Sequence, residues 1–161
     1  MEIYILRHGI AEDRGQGPDA ERALTGEGRQ KLRRVLARAA KAGVSPSLIL
    51  SSPLKRAVET AEMAASSLGY RGKIVQSDIL LPQTAPDAFW QEIRSLRRES
   101  ALLAAGHEPM LSTSIAWLLG APALKMDFKK GALARIDVDH FGSRPQGELK
   151  WLITPRLAAS D

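Results

Sequence analysis

The chain has 161 residues, with 23 Lys and Arg against 18 Asp and Glu for a formal charge of +5, and 44% of its residues are hydrophobic. That length suits one globular domain over residues 1–161, able to bury about 70% of its unfolded surface. The absence of cysteine excludes disulfides, thiolate-held zinc, iron–sulfur clusters and a cysteine nucleophile, so packing alone must stabilise the fold.

The sequence opens on Met1-Glu2-Ile3-Tyr4-Ile5-Leu6-Arg7-His8-Gly9. Its apolar run is much shorter than the core of a signal peptide, and no stretch reaches the ~18 uncharged apolar residues of a membrane span, so a cytoplasmic protein is expected. Residues 3–6 read as a buried strand that delivers Arg7, His8 and Gly9 to a loop. Residues 10–24 are polar and irregular, broken by Gly15, Gly17 and Pro18; Thr25 is then placed to cap a helix ending near Gly43. Within it Leu32, Val35, Leu36, Ala39 and Ala40 are expected to form the buried stripe, while Arg29, Lys31, Arg33, Arg34, Arg38 and Lys41 sit between them. Much of the excess positive charge behind the sequence pI of about 9.8 is thus a solvated helix face, and binding to nucleic acid is not expected.

Residues 48–50 form a second strand, and Ser51-Ser52-Pro53 reads as a helix start with Ser52 as N-cap and Pro53 first in the helix. Residues 73–76 suggest a third strand, and Asp87 a cap for a helix burying Phe89, Trp90, Ile93 and Leu96. A fourth strand, 101–105, ends in Gly106-His107-Glu108-Pro109, with Pro109 again expected first in a helix containing Leu111, Ile115 and Leu118. Residues 132–138 and 149–153 flank a glycine-containing turn and read as a closing antiparallel pair. Alternating strands and helices predict a three-layer α/β/α sandwich on a mostly parallel sheet with an antiparallel edge.

In such sheets ligands bind beyond the carboxyl ends of the strands. That rule selects Arg7, His8 and Gly9, the Ser51-Ser52-Pro53 turn leading to Arg56, and His107 with Glu108. Guanidinium forks match phosphate oxygens and stay charged, while a neutral imidazole can attack phosphorus and hold the phosphoryl group covalently. Helix N-termini at Pro53 and Pro109 would add backbone donors. No His-x-x-x-His or Glu-x-x-His pair offers adjacent metal ligands, and neighbouring arginines would repel a cation, so no metal and no cofactor are expected.

Leu6-Arg7-His8-Gly9 is similar to the signature of the histidine phosphatase, or phosphoglycerate-mutase-like, superfamily. Ser51-Ser52-Pro53-Leu54-Lys55-Arg56-Ala57 with Thr60-Ala61 resembles that family's second arginine motif, and Gly106-His107-Glu108-Pro109 its second histidine motif. The compact length and the Arg22-Ala23-Leu24-Thr25 to Gly28 stretch look like the SixA group of phosphohistidine phosphatases. The resemblance implies that His8 is the nucleophile, that Arg7, Arg56 and His107 bind the phosphoryl oxygens, and that water hydrolyses the intermediate. Arg22, Gly9 and Glu108 are further candidate substrate contacts. The implied substrate is phosphohistidine on another protein, such as the phosphotransfer domain of a signalling relay, met by a monomeric enzyme.

One departure stands out, because larger relatives place an acid beyond the third strand to protonate an alkoxide leaving group. Leu80-Leu81-Pro82-Gln83-Thr84-Ala85 contains no carboxylate, and Asp78, Asp87 and Glu108 are imperfect substitutes. A missing acid handicaps alkyl esters more than phosphoramidates, whose nitrogen is itself basic. The competing readings are a small-molecule phosphomonoesterase using one of those acids, and a non-catalytic phosphoprotein-binding module. Bland readings exist for single residues: Arg56 could pair with Glu59, Glu108 could complement a helix start, His140 is read as a surface residue, and Trp90, Trp117 and Trp151 as packing. Met110, Met126 and Phe128 are candidates for the wall of the site.

Overall fold

A computed structural model describes residues 1–15 and 17–160. Six strands form one sheet: β1 (Glu2–Arg7), β2 (Leu48–Ser51), β3 (Val75–Gln76), β4 (Ala101–Gly106), β5 (Leu133–Asp137) and β6 (Glu148–Ile153), in the spatial order β3-β2-β4-β1-β5-β6. β1, β2, β3 and β4 run parallel, and β5 is antiparallel to both β1 and β6.

The helices are α1 (Gly26–Lys41), α2 (Lys55–Ser67), α3 (Pro86–Ser95), α4 (Met110–Leu118) and a short α5 (Pro155–Ala158). Strand alternation sorts the core into two layers. Ile3, Ile5, Leu102 and Ala104 pack with Phe89, Trp90, Ile93, Leu111 and Ile115 of α3 and α4. Tyr4, Leu6, Leu103 and Ala105 pack with Leu32, Val35, Leu36, Ala61 and Ala64 of α1 and α2. Each fully buried leucine or isoleucine in these layers contributes about 1.5–3 kcal/mol of apolar transfer. The fold is therefore the expected three-layer sandwich, and among the described residues no helix is long and apolar enough to cross a membrane.

Several boundaries differ from expectation. Thr25 does cap α1, accepting from the Gly28 amide at 3.0 Å. Ser52 does not cap α2: Leu54 is still extended and its carbonyl receives the amides of Ala57 and Val58, so the helix starts at Lys55 rather than Pro53. Pro109 is the N-cap of α4 rather than its first residue, since its carbonyl takes the Thr113 amide; the Glu108–Pro109 peptide is cis. At α3 the extended residue before the helix is Ala85, with Pro86 in the first turn, so Asp87 lies inside the helix and caps nothing. β3 is reduced to two residues, and α5, too short to show a period, packs against α1.

Register places the site. Arg7 lies opposite Gly106 and Ser51 opposite Ala105, so the carboxyl ends of β1, β4 and β2 finish side by side. The His8 amide donates to the Gly106 carbonyl at 3.0 Å and the Ser52 amide to Ala105 at 2.9 Å, extending the ladder one residue past each strand. His8, His107 and Ser52 thereby emerge at one rim.

Candidate active site

His8 is 6% exposed, and its Nδ1 lies 2.7 Å from the Gly9 carbonyl. A carbonyl only accepts, so this contact assigns the ring proton to Nδ1 and leaves the lone pair on Nε2. Burial, helped by the charges of Arg56, Arg7 and Lys130, pushes the imidazole down to about 4, against an opposing contribution from the Gly9 bond. The ring is neutral and nucleophilic at physiological pH.

The His107 ring centre is 5.0 Å from that of His8, tilted by 50°. Its Nε2 is 2.8 Å from the Ser52 hydroxyl, which already accepts from the Leu54 amide at 3.3 Å. With the Ser52 hydroxyl donating to Nε2, the imidazole proton sits on Nδ1, a buried atom with no partner; the hydroxyl has a second lone pair, so this contact also admits the reverse tautomer. Burial first, then His8 and Arg56, push His107 down to about 3. Ser52, expected as a helix cap, instead orients the second histidine.

The two guanidiniums are each held at one edge and free at another. Arg7 donates from Nη1 to the Phe128 carbonyl at 2.6 Å, and Arg56 donates to the Asp19 carbonyl at 2.9 Å and to Asp19 Oδ2 at 3.1 Å. The Nε atoms of both are buried without a partner. Burial lowers the pKa of both guanidiniums from the ordinary value, opposed by Glu108 and Asp127 at Arg7 and by Asp19 at Arg56. Three buried nitrogens without a partner, Arg7 Nε, Arg56 Nε and His107 Nδ1, belong to the residues whose charge or ring lies close to His8, a desolvated group suited to an anion.

Thr60 and the segment 10–24 complete the frame. Thr60 Oγ1 donates to the Arg56 carbonyl at 2.7 Å and accepts the Gly9 amide at 3.2 Å, tying the arginine helix to the loop behind His8. The polar segment is organised by an Ala11–Leu24 bridge and by Glu12, whose side chain takes the Ala23 amide. Its 3₁₀ turn, Asp19–Glu21, brings Asp19 onto Arg56.

The expected residues therefore divide. His8, Arg7, Arg56 and His107 are brought together, and Gly9 supports His8 through its backbone. Arg22 reaches the group only indirectly, donating to Asp19 Oδ1 at 2.9 Å and to the Glu12 carbonyl at 2.6 Å. Glu108 accepts the Ser112 amide at 2.8 Å, serving the start of α4. Glu59 pairs with Arg29, not Arg56. Met110 belongs to the core, and Phe128 meets the site through its carbonyl, on Arg7. Asp19 was missed, although an acid three residues before Arg22 in a polar loop was a readable signal. Among the described residues no three histidine or carboxylate side chains are grouped as a metal would require.

Residues 3–80 match the family model of the histidine phosphatase superfamily, branch 1. An uncharacterized protein of Picosynechococcus sp. is 38% identical over 115 residues, covering 69% of this chain and 68% of the relative. The chain belongs to the histidine phosphatase superfamily. Its fold is similar to that of the protein histidine phosphatase SixA complexed with tungstate, with a TM-score of 0.87, 23% identity, and 97% and 98% of the two chains covered. It is also similar to the α-ribazole phosphatase of Shigella flexneri, with a TM-score of 0.75, 19% identity, and 96% and 97% covered. Structural neighbours of this superfamily member thus include phosphatases named for different substrates.

Proposed function

We propose that this protein is a phosphohistidine phosphatase, hydrolysing phosphohistidine on a signalling protein such as a phosphotransfer domain through a covalent intermediate on His8. The observation that carries the reading is the buried neutral His8 with a free Nε2, together with the three unpartnered nitrogens of Arg7, Arg56 and His107. In the first half-reaction Nε2 attacks phosphorus as the bond to the leaving group breaks. Arg7, Arg56 and the His107 Nδ1 proton hold the equatorial oxygens, whose charge they neutralise in a site largely closed to water. In the second half, water attacks the phosphoryl group, releasing phosphate and restoring His8.

The choice of a phosphoramidate rests on the acids. Asp78 and Asp87 are exposed, and Glu108 is engaged at the start of α4. No carboxyl group touches His8 among the described contacts, which suits a leaving imidazole better than a leaving alkoxide. The likeness to a protein histidine phosphatase that takes up tungstate, a tetrahedral oxyanion, supports the same reading. A monomer acting in the cytoplasm, with no nucleic-acid or membrane partner, belongs to this proposal.

The test is single-turnover incubation with a 32P-phosphohistidine protein and with an aryl phosphate, comparing wild type with His8→Ala. Rapid release from the protein that depends on His8, with feeble aryl turnover, is expected. Efficient ester hydrolysis without protein dephosphorylation would move the assignment to a small-molecule phosphomonoesterase, a substrate class met in the α-ribazole phosphatase fold neighbour. Phosphate binding without turnover of either substrate would indicate a binding module.

A further inference from the structure

Asp19 is an acidic residue set among cations, and phosphate binding alone does not require it. Its side chain is 51% exposed, while the Arg56 side chain it grips is 6% exposed, so the carboxylate stands at the rim of the buried site. One oxygen is held by Arg56 and the other by Arg22, and a cleft of about 270 Å³ lined by Arg14, Gly15, Gly17, Asp19 and Arg22 opens beside it. The segment that presents it is braced by the Ala11–Leu24 bridge and by the Arg22 bond to the Glu12 carbonyl.

We propose that Asp19 is a specificity-determining residue, whose carboxylate accepts a hydrogen bond from the distal ring N–H of a leaving imidazole and so favours phosphoramidates over phosphate esters. The inference rests on the phosphohistidine reading above and names the residue that enforces it. When His8 Nε2 donates its electron pair to phosphorus, the substrate P–N bond breaks and its pair passes to the leaving ring nitrogen. If the other ring nitrogen already carries a proton, the ring departs as neutral imidazole and no new proton is needed. An ionised carboxylate facing that N–H stabilises the protonated, reactive form of the substrate.

The same carboxylate does nothing for an ester. An alkoxide leaving group calls for a proton, and Asp19 has none to give, since the Arg22 hydrogen bond, reinforced by Arg56, holds its carboxyl below the usual range; an aryl oxide such as nitrophenolate needs no proton and gains nothing from the carboxylate. Its charge also repels the phosphoryl dianion, a penalty that only a cationic leaving ring offsets. Asp19 thus separates the two substrate classes by charge.

The experiment compares wild type, Asp19→Asn and Asp19→Glu on a phosphohistidine peptide and on p-nitrophenyl phosphate. Asparagine keeps an oxygen for Arg56 Nη2, and the backbone carbonyl still takes Nη1, so the arginine remains braced. In Asp19→Asn, kcat/KM for the peptide is expected to fall about tenfold or more, the scale of one charge-assisted hydrogen bond, while that for the aryl ester rises. Asp19→Glu, which retains the charge, is expected to recover most of the peptide preference. Parallel losses on both substrates would show that Asp19 only braces Arg56 and would overturn the inference while leaving the phosphohistidine reading intact. A wild type that cleaves the ester but not the peptide would overturn both.

Discussion

Two histidines buried as neutral rings make the stability of this protein depend on pH in a defined direction. His8 is pushed down to about 4 and His107 to about 3, mainly by burial, while in the unfolded chain each takes up a proton near pH 6.5. Between those values the unfolded state binds more protons than the folded one, so stability falls as pH falls through 6.5 and continues to fall until the folded-state values are reached. Working the linkage from pH 7 to pH 5, His8 alone removes about 2 kcal/mol, and His107 a similar amount. The perturbation is the pH change applied to wild type and to His8→Ala, with urea unfolding as the assay. Wild type is expected to lose about 2 kcal/mol more than the variant over that interval, whatever their difference at pH 7. Equal losses in the two proteins would refute the claim that His8 is held neutral by burial. The kinetic counterpart is that His8, the proposed nucleophile, stays unprotonated throughout the neutral range.

Arg56→Lys replaces a fork that reaches two Asp19 oxygens and still offers Nε by a single ammonium. A loss of about 100-fold in kcat/KM is expected in steady-state assays with the circular dichroism unchanged, and a change below about threefold would make Arg56 a structural brace. Gly28→Ala would place a Cβ 2.1 Å from the Ile10 carbonyl oxygen and 2.9 Å from the Ile10 nitrogen, both backbone atoms that cannot turn aside. The start of α1 and the loop behind His8 must then separate, with an expected cost of about 2–4 kcal/mol in urea unfolding. A cost below about 0.5 kcal/mol would show that the helix start re-seats without strain.

The residues proposed to carry the chemistry were legible because they follow short apolar strands in motifs with distinctive composition. Arg7-His8-Gly9, the Ser51 to Arg56 stretch and Gly106-His107 each stand where a short apolar run stops, and the rule for parallel sheets directs attention to such ends. Supporting residues were less legible because their roles are set by partners distant in sequence. Ser52 has the composition of a helix cap, yet α2 starts three residues later and its hydroxyl goes to His107, 55 positions away. Phe128 contributes a carbonyl, which no side-chain pattern announces. Asp19 lies in a loop without periodicity, and its meeting with Arg56 spans 37 positions.

What the sequence alone determined is the fold class and the set of candidate residues at or just beyond the strand ends, since these follow from periodicity and from residue chemistry at the stops. Only the tertiary structure decided how those residues act. The order β2-β4-β1 and its register bring three strand ends together and bury both imidazoles, which keeps them neutral. The contact with the Gly9 carbonyl then places the His8 proton on Nδ1, and the Ser52 hydroxyl orients the His107 ring. Burial and tautomer are properties of a surrounding assembled from distant segments, so they come into existence only when the chain is folded.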